Sequence, residues 1–291
     1  MPRSDLIDID TSSPPFDRLK GISVLATNRS GRESSVHARH QLFAARETAT
    51  AAQVLVKVSS RPGLVYERNL TNEIESLTAI NRRLPTSTAF PFLVDHGRMR
   101  DGRLYLMTYL FDELPLAASI STERITRHTV SHLRTAIEMA RVLMELHQLP
   151  IYHVDLNPMN ILHRVEQDKP IVRIVDFESS YDPARHASGV FYDPPTTPGY
   201  SAPEVSQQPP DARADVCSLG AVLYTMLTGF GWTWQDEVDV CVKADRTLDP
   251  ELRAILSKAV ARKPDRRYAS AEALQSALSR YLEGIWPGHS V

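Results

Sequence analysis

Five polar side chains are spaced so that they could work together. Asp155 and Asn160 lie in Ile151-Tyr152-His153-Val154-Asp155-Leu156-Asn157-Pro158-Met159-Asn160-Ile161-Leu162. A carboxylate can orient a hydroxyl and take its proton, and an amide oxygen can hold a hard cation. Asp176 follows the apolar run Ile171 to Val175, and a strand end is a rigid place from which to aim a carboxylate at such a cation. Lys57 sits in Gln53-Val54-Leu55-Val56-Lys57-Val58. Strand alternation there puts Val54, Val56 and Val58 on one face and Leu55 with Lys57 on the other. In Leu70-Thr71-Asn72-Glu73-Ile74-Glu75-Ser76-Leu77, the apolar positions 70, 74 and 77 form a helical stripe with Glu73 beside it, while Glu75 points to solvent. Each residue also has an ordinary reading: a turn cap for Asp155, local backbone bonding for Asn160, a surface or edge charge for Lys57, a solvated helix face for Glu73. Their order along one chain favours the joint reading.

The elements that must position them differ between the two halves of the chain. Before about residue 110 the pattern is strands, over Ile22 to Thr27, Val36 to Phe43, Gln53 to Val58 and Leu104 to Leu110, interrupted by one helix. Helices dominate afterwards, beginning with His128 to Gln148, where Val130, Leu133, Ile137, Ala140 and Met144 recur at helical spacing. A hairpin of Ile161 to Val165 and Ile171 to Val175 is expected around the connector 166–170, and further helices over Ala214 to Leu227, Pro250 to Ala261 and Ser270 to Leu282, the last capped by Ser270. The doublets Pro14-Pro15, Pro194-Pro195 and Pro209-Pro210 mark loops.

A length of 291 residues allows two domains or one two-lobed domain, and 42% hydrophobic with 23% charged residues is the composition of a chain that buries a core. A net charge of -2 implies no global attraction to nucleic acid or to a membrane, so phosphate chemistry would have to be local. Cys217 and Cys241 have neither metal-ligand spacing nor a disulfide framework, which suits a reducing cytoplasm. The polar start of the chain lacks the apolar centre of a secretory signal. The apolar stretch Val216 to Trp234 is broken by Ser218, Gly220, Thr225, Thr228, Gly229 and Gly231, so a buried helix and loop are expected rather than membrane insertion.

The segment around Asp155 resembles the catalytic loop of protein kinases, and Asp176-Phe177-Glu178 resembles their Asp-Phe-Gly metal motif. Thr197-Pro198-Gly199-Tyr200-Ser201-Ala202-Pro203-Glu204 is similar to the end of their activation segment, Arg267 to the arginine that pairs with its glutamate, and Asp215 to the aspartate that supports the catalytic-loop backbone. The order and number of these motifs identify the chain as similar to bacterial, eukaryotic-like Ser/Thr kinases over roughly Phe16 to Leu282. The resemblance implies an α+β fold with a small antiparallel-sheet lobe (about 16–108), a hinge (about 108–112) and a larger helical lobe (about 113–285), after a polar tail over 1–15. It implies ATP bound between the lobes, with Mg2+ or, as an alternative, Mn2+, and protein substrates phosphorylated on Ser or Thr. Asp155 would be the catalytic base, Lys57 would hold phosphates and be held by Glu73, and Asn160 and Asp176 would bind metal. Gly31, Val36, Leu55, Met107 in the gatekeeper place, Thr108, Leu110 and Leu162 would surround the nucleotide, and Thr197, Glu204, Asp215 and Arg267 would support the segment.

Five departures stand out. The loop Arg29 to Val36 keeps only Gly31 of the three family glycines. Val154 replaces the arginine that reads a loop phosphate, Asn157 the lysine aimed at the γ-phosphate, Leu55 a small alanine over adenine, and Glu178 a glycine. Three functions remain open on these residues: an active Ser/Thr kinase, a nucleotide-binding pseudokinase, and a small-molecule phosphotransferase. The Ala202-Pro203-Glu204 anchor speaks against the third.

Overall fold

The computed structural model describes residues 9–25, 40–120, 129–186, 196–233 and 235–286. Gly31, Val36, the doublet Pro194-Pro195 and the first eight residues of the expected tail lie outside them. The chain divides into two compact units, Met1–Asp112 and Glu113–Val291.

In the first unit, β1 (Leu19–Leu25), β2 (His40–Glu47), β3 (Gln53–Ser59), β4 (Leu93–Arg98) and β5 (Leu104–Tyr109) form one antiparallel sheet in the order β1-β2-β3-β5-β4. Helix α1 (Leu64–Arg83) lies between β3 and β4 in sequence. The expected alternation in β3 is present: Val54, Val56 and Val58 are fully buried in a core with Phe16, Leu19 and Phe43. The stripe on α1 is present too, with Leu70, Ile74 and Leu77 buried and Glu75 exposed. β4 is an addition to the expected strands. Asp95, His96 and Arg98 hide its signal, and the strand exists because β5 offers a pairing edge.

The second unit holds a small sheet, β6 (Leu114–Pro115), β7 (Ile161–Glu166) and β8 (Lys169–Ile174), and five helices among the described residues: α2 (Thr129–His147), α3 (Ala212–Thr228), α4 (Val238–Ala244), α5 (Pro250–Ala259) and α6 (Ala271–Ile285). The β7–β8 hairpin closes more tightly than expected. Gln167 and Asp168 both take positive φ, +49° and +63°, so a two-residue turn replaces the five-residue connector. Helix α4 is also an addition, too short for its apolar spacing to register.

Helix α3 is the centre of this unit, since every residue from Ala214 to Leu227 is buried. Its apolar character runs all the way round, as a helix surrounded by protein requires. Asp211 caps its start through the amide of Arg213, and Gly229 ends it at φ +68°. Ser270 caps α6 as expected. No described helix is long and apolar enough to cross a membrane.

Gly220 lets α5 approach α3: a Cβ there would lie 2.9 Å from both Ala259 Cβ and Val260 Cγ1. Gly220→Ala is therefore expected to destabilise the second unit by about 1–3 kcal/mol through overpacking. Denaturant unfolding measures this, and an unchanged midpoint would show that α5 yields without cost.

Candidate active site

The structure brings the expected polar side chains together in two groups, one in each unit. In the first unit, β3 presents Lys57 on the face opposite the Val54–Val58 core, and α1 presents Glu73 to it. Lys57 Nζ donates to Glu73 Oε2 at 2.6 Å, and both residues are more than nine-tenths buried. A buried ammonium beside a carboxylate is fixed in place and keeps donors for a further anion.

The end of β5 corrects one expectation. Met107 pairs with Val56 and is fully buried in the same core cluster, so its side chain lies on the face away from Lys57. Thr108, opposite Leu55, takes the Lys57 face. The gatekeeper position therefore belongs to Thr108, because a strand alternates with period two and counting one residue off reverses the face. The amide of Leu110 donates to Gln53 O at 3.0 Å, so it is spent within the first unit and is not a donor for adenine.

In the second unit, Asp155 gathers donors from two segments. Its Oδ1 accepts from Thr197 Oγ1 at 2.6 Å and from Ser201 Oγ at 3.3 Å. Asn160 Nδ2 donates to Asp155 O at 2.9 Å, and the Asn160 carbonyl accepts from the amide of Val175, next to Asp176. Half-buried Asp176 has φ +69° and ψ 72°, which turns it out of the line of β8. Phe177 is fully buried and meets His153 edge-on at 5.1 Å, while His153 Nε2 donates to Val175 O. Leu162 is half-buried on β7, on the face opposite buried Ile161. The donors are carboxylate and amide oxygens, the chemistry of a hard divalent cation such as magnesium.

The loop carrying Asp155 is held in an unfavourable backbone. Val154 has φ +71°, where a β-branched residue costs on the order of 1–3 kcal/mol. Asp215, wholly buried at the start of α3, accepts the amides of His153 at 2.9 Å and Val154 at 2.7 Å. Val154 itself is 1% exposed, so where kinases carry an arginine this loop has a core residue.

Asn157 has a role that its sequence position does not reveal. Its Nδ2 donates to Asp155 O at 3.0 Å and Thr197 Oγ1 at 3.3 Å, and its Oδ1 accepts the amide of Met159. Ser201 likewise escapes sequence reasoning, since nothing in its surroundings marks it as a partner of Asp155. The segment they hold is anchored further on. Arg267 makes a two-pronged pair with Glu204 at 2.6 and 2.8 Å and donates as well to the carbonyls of Ala261, Arg213 and Arg262. Between these anchors Gly199, at φ +72°, lies against Trp232, so that a Cβ would fall 2.2 Å from its ring. Trp232 packs with Tyr200, Tyr224 and Phe230 and donates to Thr225 Oγ1.

A family model for the protein kinase domain matches residues 40–279. The chain belongs to that family. It is 32% identical over 196 residues to Serine/threonine-protein kinase Pkn1 of Myxococcus xanthus, covering 60% of this chain and 27% of that protein. It is 28% identical over 256 residues to human Serine/threonine-protein kinase ULK3, covering 84% and 50%. It thus spans between about a quarter and a half of these relatives' lengths. A crystal structure of the Mycobacterium tuberculosis PknI kinase domain, a double mutant, has the same fold, with a TM-score of 0.62 at 22% identity over 90% of this chain and 96% of that one.

In this protein kinase domain the Glu204–Arg267 pair is buried, with no exposure of the arginine side chain. Burial works against charge on Arg267, and the hydrogen bonds to Glu204 together with the charge interactions with Cys217 and Glu204 outweigh it. Glu204→Ala or Arg267→Ala is expected to cost about 3–5 kcal/mol, because each leaves the other charge buried and unpaired. The double variant should lose less than the sum. Chemical denaturation of all four proteins checks this, and additive losses would mean that the two residues do not act as a pair.

Proposed function

We propose that the chain is an ATP- and magnesium-dependent Ser/Thr protein kinase, with Asp155 as the base for the acceptor hydroxyl. The observation that carries this reading is the 2.6 Å bond from Thr197 to Asp155, which ties the segment ending in the Glu204–Arg267 pair to the catalytic carboxylate. When bound, ATP supplies the phosphoryl group and magnesium spreads its charge. Lys57, steadied by Glu73, would bind phosphate oxygens, and Asn160 Oδ1 with Asp176 would hold the metal. Asp155 would orient the incoming hydroxyl and accept its proton as that oxygen bonds to the γ-phosphorus of ATP and the bond from this phosphorus to the β,γ-bridging oxygen breaks, releasing ADP. On the Lys57 face of the first unit, Leu55 and Thr108 would border the purine.

A protein acceptor is favoured over a small molecule by a groove beside Thr197 and Ser201. It is lined by Pro198, Gly199, Ala202 and Asp236, next to the two hydroxyls that bond Asp155. Because Val154 is a core residue and Thr197 bonds the Asp155 carboxylate through its own hydroxyl, with Asn157 and Ser201 as its other partners, the segment needs no phosphate to reach Asp155. Two free cysteines suit a cytoplasmic setting. Asn157 stands where a lysine would neutralise transferring charge, which favours slow turnover and keeps a pseudokinase as the second reading.

Asp155→Asn is expected to lower phosphoryl transfer about 100-fold or more, since a positioned base contributes about 10² to 10⁴. Stabilisation of the protein by ATP with magnesium should remain. Transfer of labelled phosphate to a broad panel of Ser/Thr substrates, alongside thermal melts, measures both. A wild type that binds ATP yet transfers no more than Asp155→Asn would establish the pseudokinase.

Asp176→Ala should remove the magnesium-dependent part of the ATP-induced rise in melting temperature while the unliganded protein melts as before. An undiminished magnesium effect would remove Asp176 from the metal site. Thr108→Phe should weaken ATP stabilisation, whereas Met107→Ala should cost about 2–5 kcal/mol of fold stability. The reverse pattern would restore Met107 to the nucleotide side.

A further inference from the structure

Two hydroxyls meet one oxygen of Asp155. Thr197 stands in the place of the family threonine that supports this carboxylate; Ser201, four residues on, is given no role by that motif. Ser201 Oγ accepts from the amide of Thr197 at 2.7 Å and donates to Asp155 Oδ1 at 3.3 Å. Its own amide donates to Thr197 O at 3.0 Å, so the two residues are tied in both directions.

The direction of both hydroxyl protons follows from their neighbours. Asn157 Nδ2 and the Thr197 amide can only donate. The first gives a proton to Thr197 Oγ1 at 3.3 Å, and the second to Ser201 Oγ. Each hydroxyl therefore turns its own proton away from these donors, and Asp155 Oδ1 is the acceptor that each one meets. A ring closes through the Thr197 amide, the Ser201 hydroxyl, Asp155 Oδ1 and the Thr197 hydroxyl. Bonds linked in this way polarise one another, and a charged acceptor strengthens them. The leg to the Thr197 amide is the shorter, so Ser201 acts chiefly on the backbone that carries the threonine. Three residues beyond it, Glu204 is fixed by Arg267, and Ser201 links that anchor to the carboxylate.

We propose that Ser201 is a positioning residue for phosphoryl transfer: its hydroxyl holds the Thr197 amide and, with Thr197 Oγ1, fixes Asp155 Oδ1. The segment then aims the carboxylate with neutral groups alone. The effect on rate rests on the kinase reading, whereas the bond between Ser201 and the Thr197 amide does not. Ser201 also lines the groove beside Thr197, and the two roles separate in kinetics. A misaimed base lowers kcat, while a lost groove contact raises the KM for the acceptor.

The test uses the full chain with Ser201→Ala, which removes one oxygen, and Ser201→Thr, which keeps the hydroxyl, on a serine peptide that the wild type phosphorylates. Ser201→Ala should lower kcat at saturating peptide about tenfold, with the KM for ATP within about twofold, because a small misplacement of a reacting group is costly. Ser201→Thr should retain most of kcat, whatever its added methyl does to the KM for peptide. Hydrogen exchange at the Thr197 amide should quicken in Ser201→Ala and stay slow in Ser201→Thr. If Ser201→Thr does not fold, wild type against Ser201→Ala carries both readouts. Wild-type kcat in Ser201→Ala, a rise in the KM for peptide alone, or unchanged exchange at Thr197 would overturn the proposal. So would a folded Ser201→Thr as impaired as Ser201→Ala. A wild type without transfer activity would refute the kinase reading, and exchange at the Thr197 amide would then decide by itself whether Ser201 holds the segment.

Discussion

The second unit depends on one buried charge. Asp215 has no solvent exposure, and its carboxylate must find all its partners within the protein. It finds them in the amides of a loop whose backbone is otherwise unfavourable, so the same hydrogen bonds offset both the desolvation of the charge and the strain at Val154. Neither would be stable alone. The all-buried helix α3 supplies the rigidity, because a carboxylate on its first turn cannot follow the loop if the loop drifts. A core helix thus holds the backbone of the buried turn that immediately precedes Asp155.

The first unit fixes its charge differently. Lys57 and Glu73 meet at 2.6 Å from two elements packed on one sheet face, and each neutralises the other's burial. Asp155, by contrast, is surrounded by hydroxyls and amides from Thr197, Ser201 and Asn160. Asn157 belongs to the same neutral set. By donating to Thr197 Oγ1 it leaves the threonine proton for Asp155 Oδ1, so a substitution that removes a cation also adds an alignment device.

Much of this was legible in the sequence wherever a period or a motif carried it. Alternation in β3 gave the correct faces for Val54 and Lys57, and the 70, 74, 77 stripe placed Glu73 against the sheet. Motif order pointed to Asp155, Asn160, Asp176, Glu204 and Arg267, which the folded chain arranges in bonded groups within its second unit. The failures have physical causes. Met107 was misassigned because β5 is apolar on both faces, leaving no alternation from which to read parity, and only pairing with Val56 fixes it. β4 and the two-residue turn at Gln167-Asp168 depend on partners distant in sequence or on backbone signs that side-chain types do not report. Ser201 and Asn157 matter through side-chain hydrogen bonds around Asp155 and Thr197, and no spacing rule encodes those.

The contact between Gly199 and Trp232 sets an order on how this chain can change. With the indole in place, nothing larger than hydrogen fits at position 199, and its left-handed backbone further disfavours most side chains. Shrinking the residue at 232 opens the space, after which Asn, the side chain most tolerant of that backbone, is the first replacement position 199 could accept. The two positions therefore form a ratchet: among functional descendants drifting under selection, a change at 232 must come before one at 199, and a lineage that has filled 199 cannot regain the tryptophan in a single step.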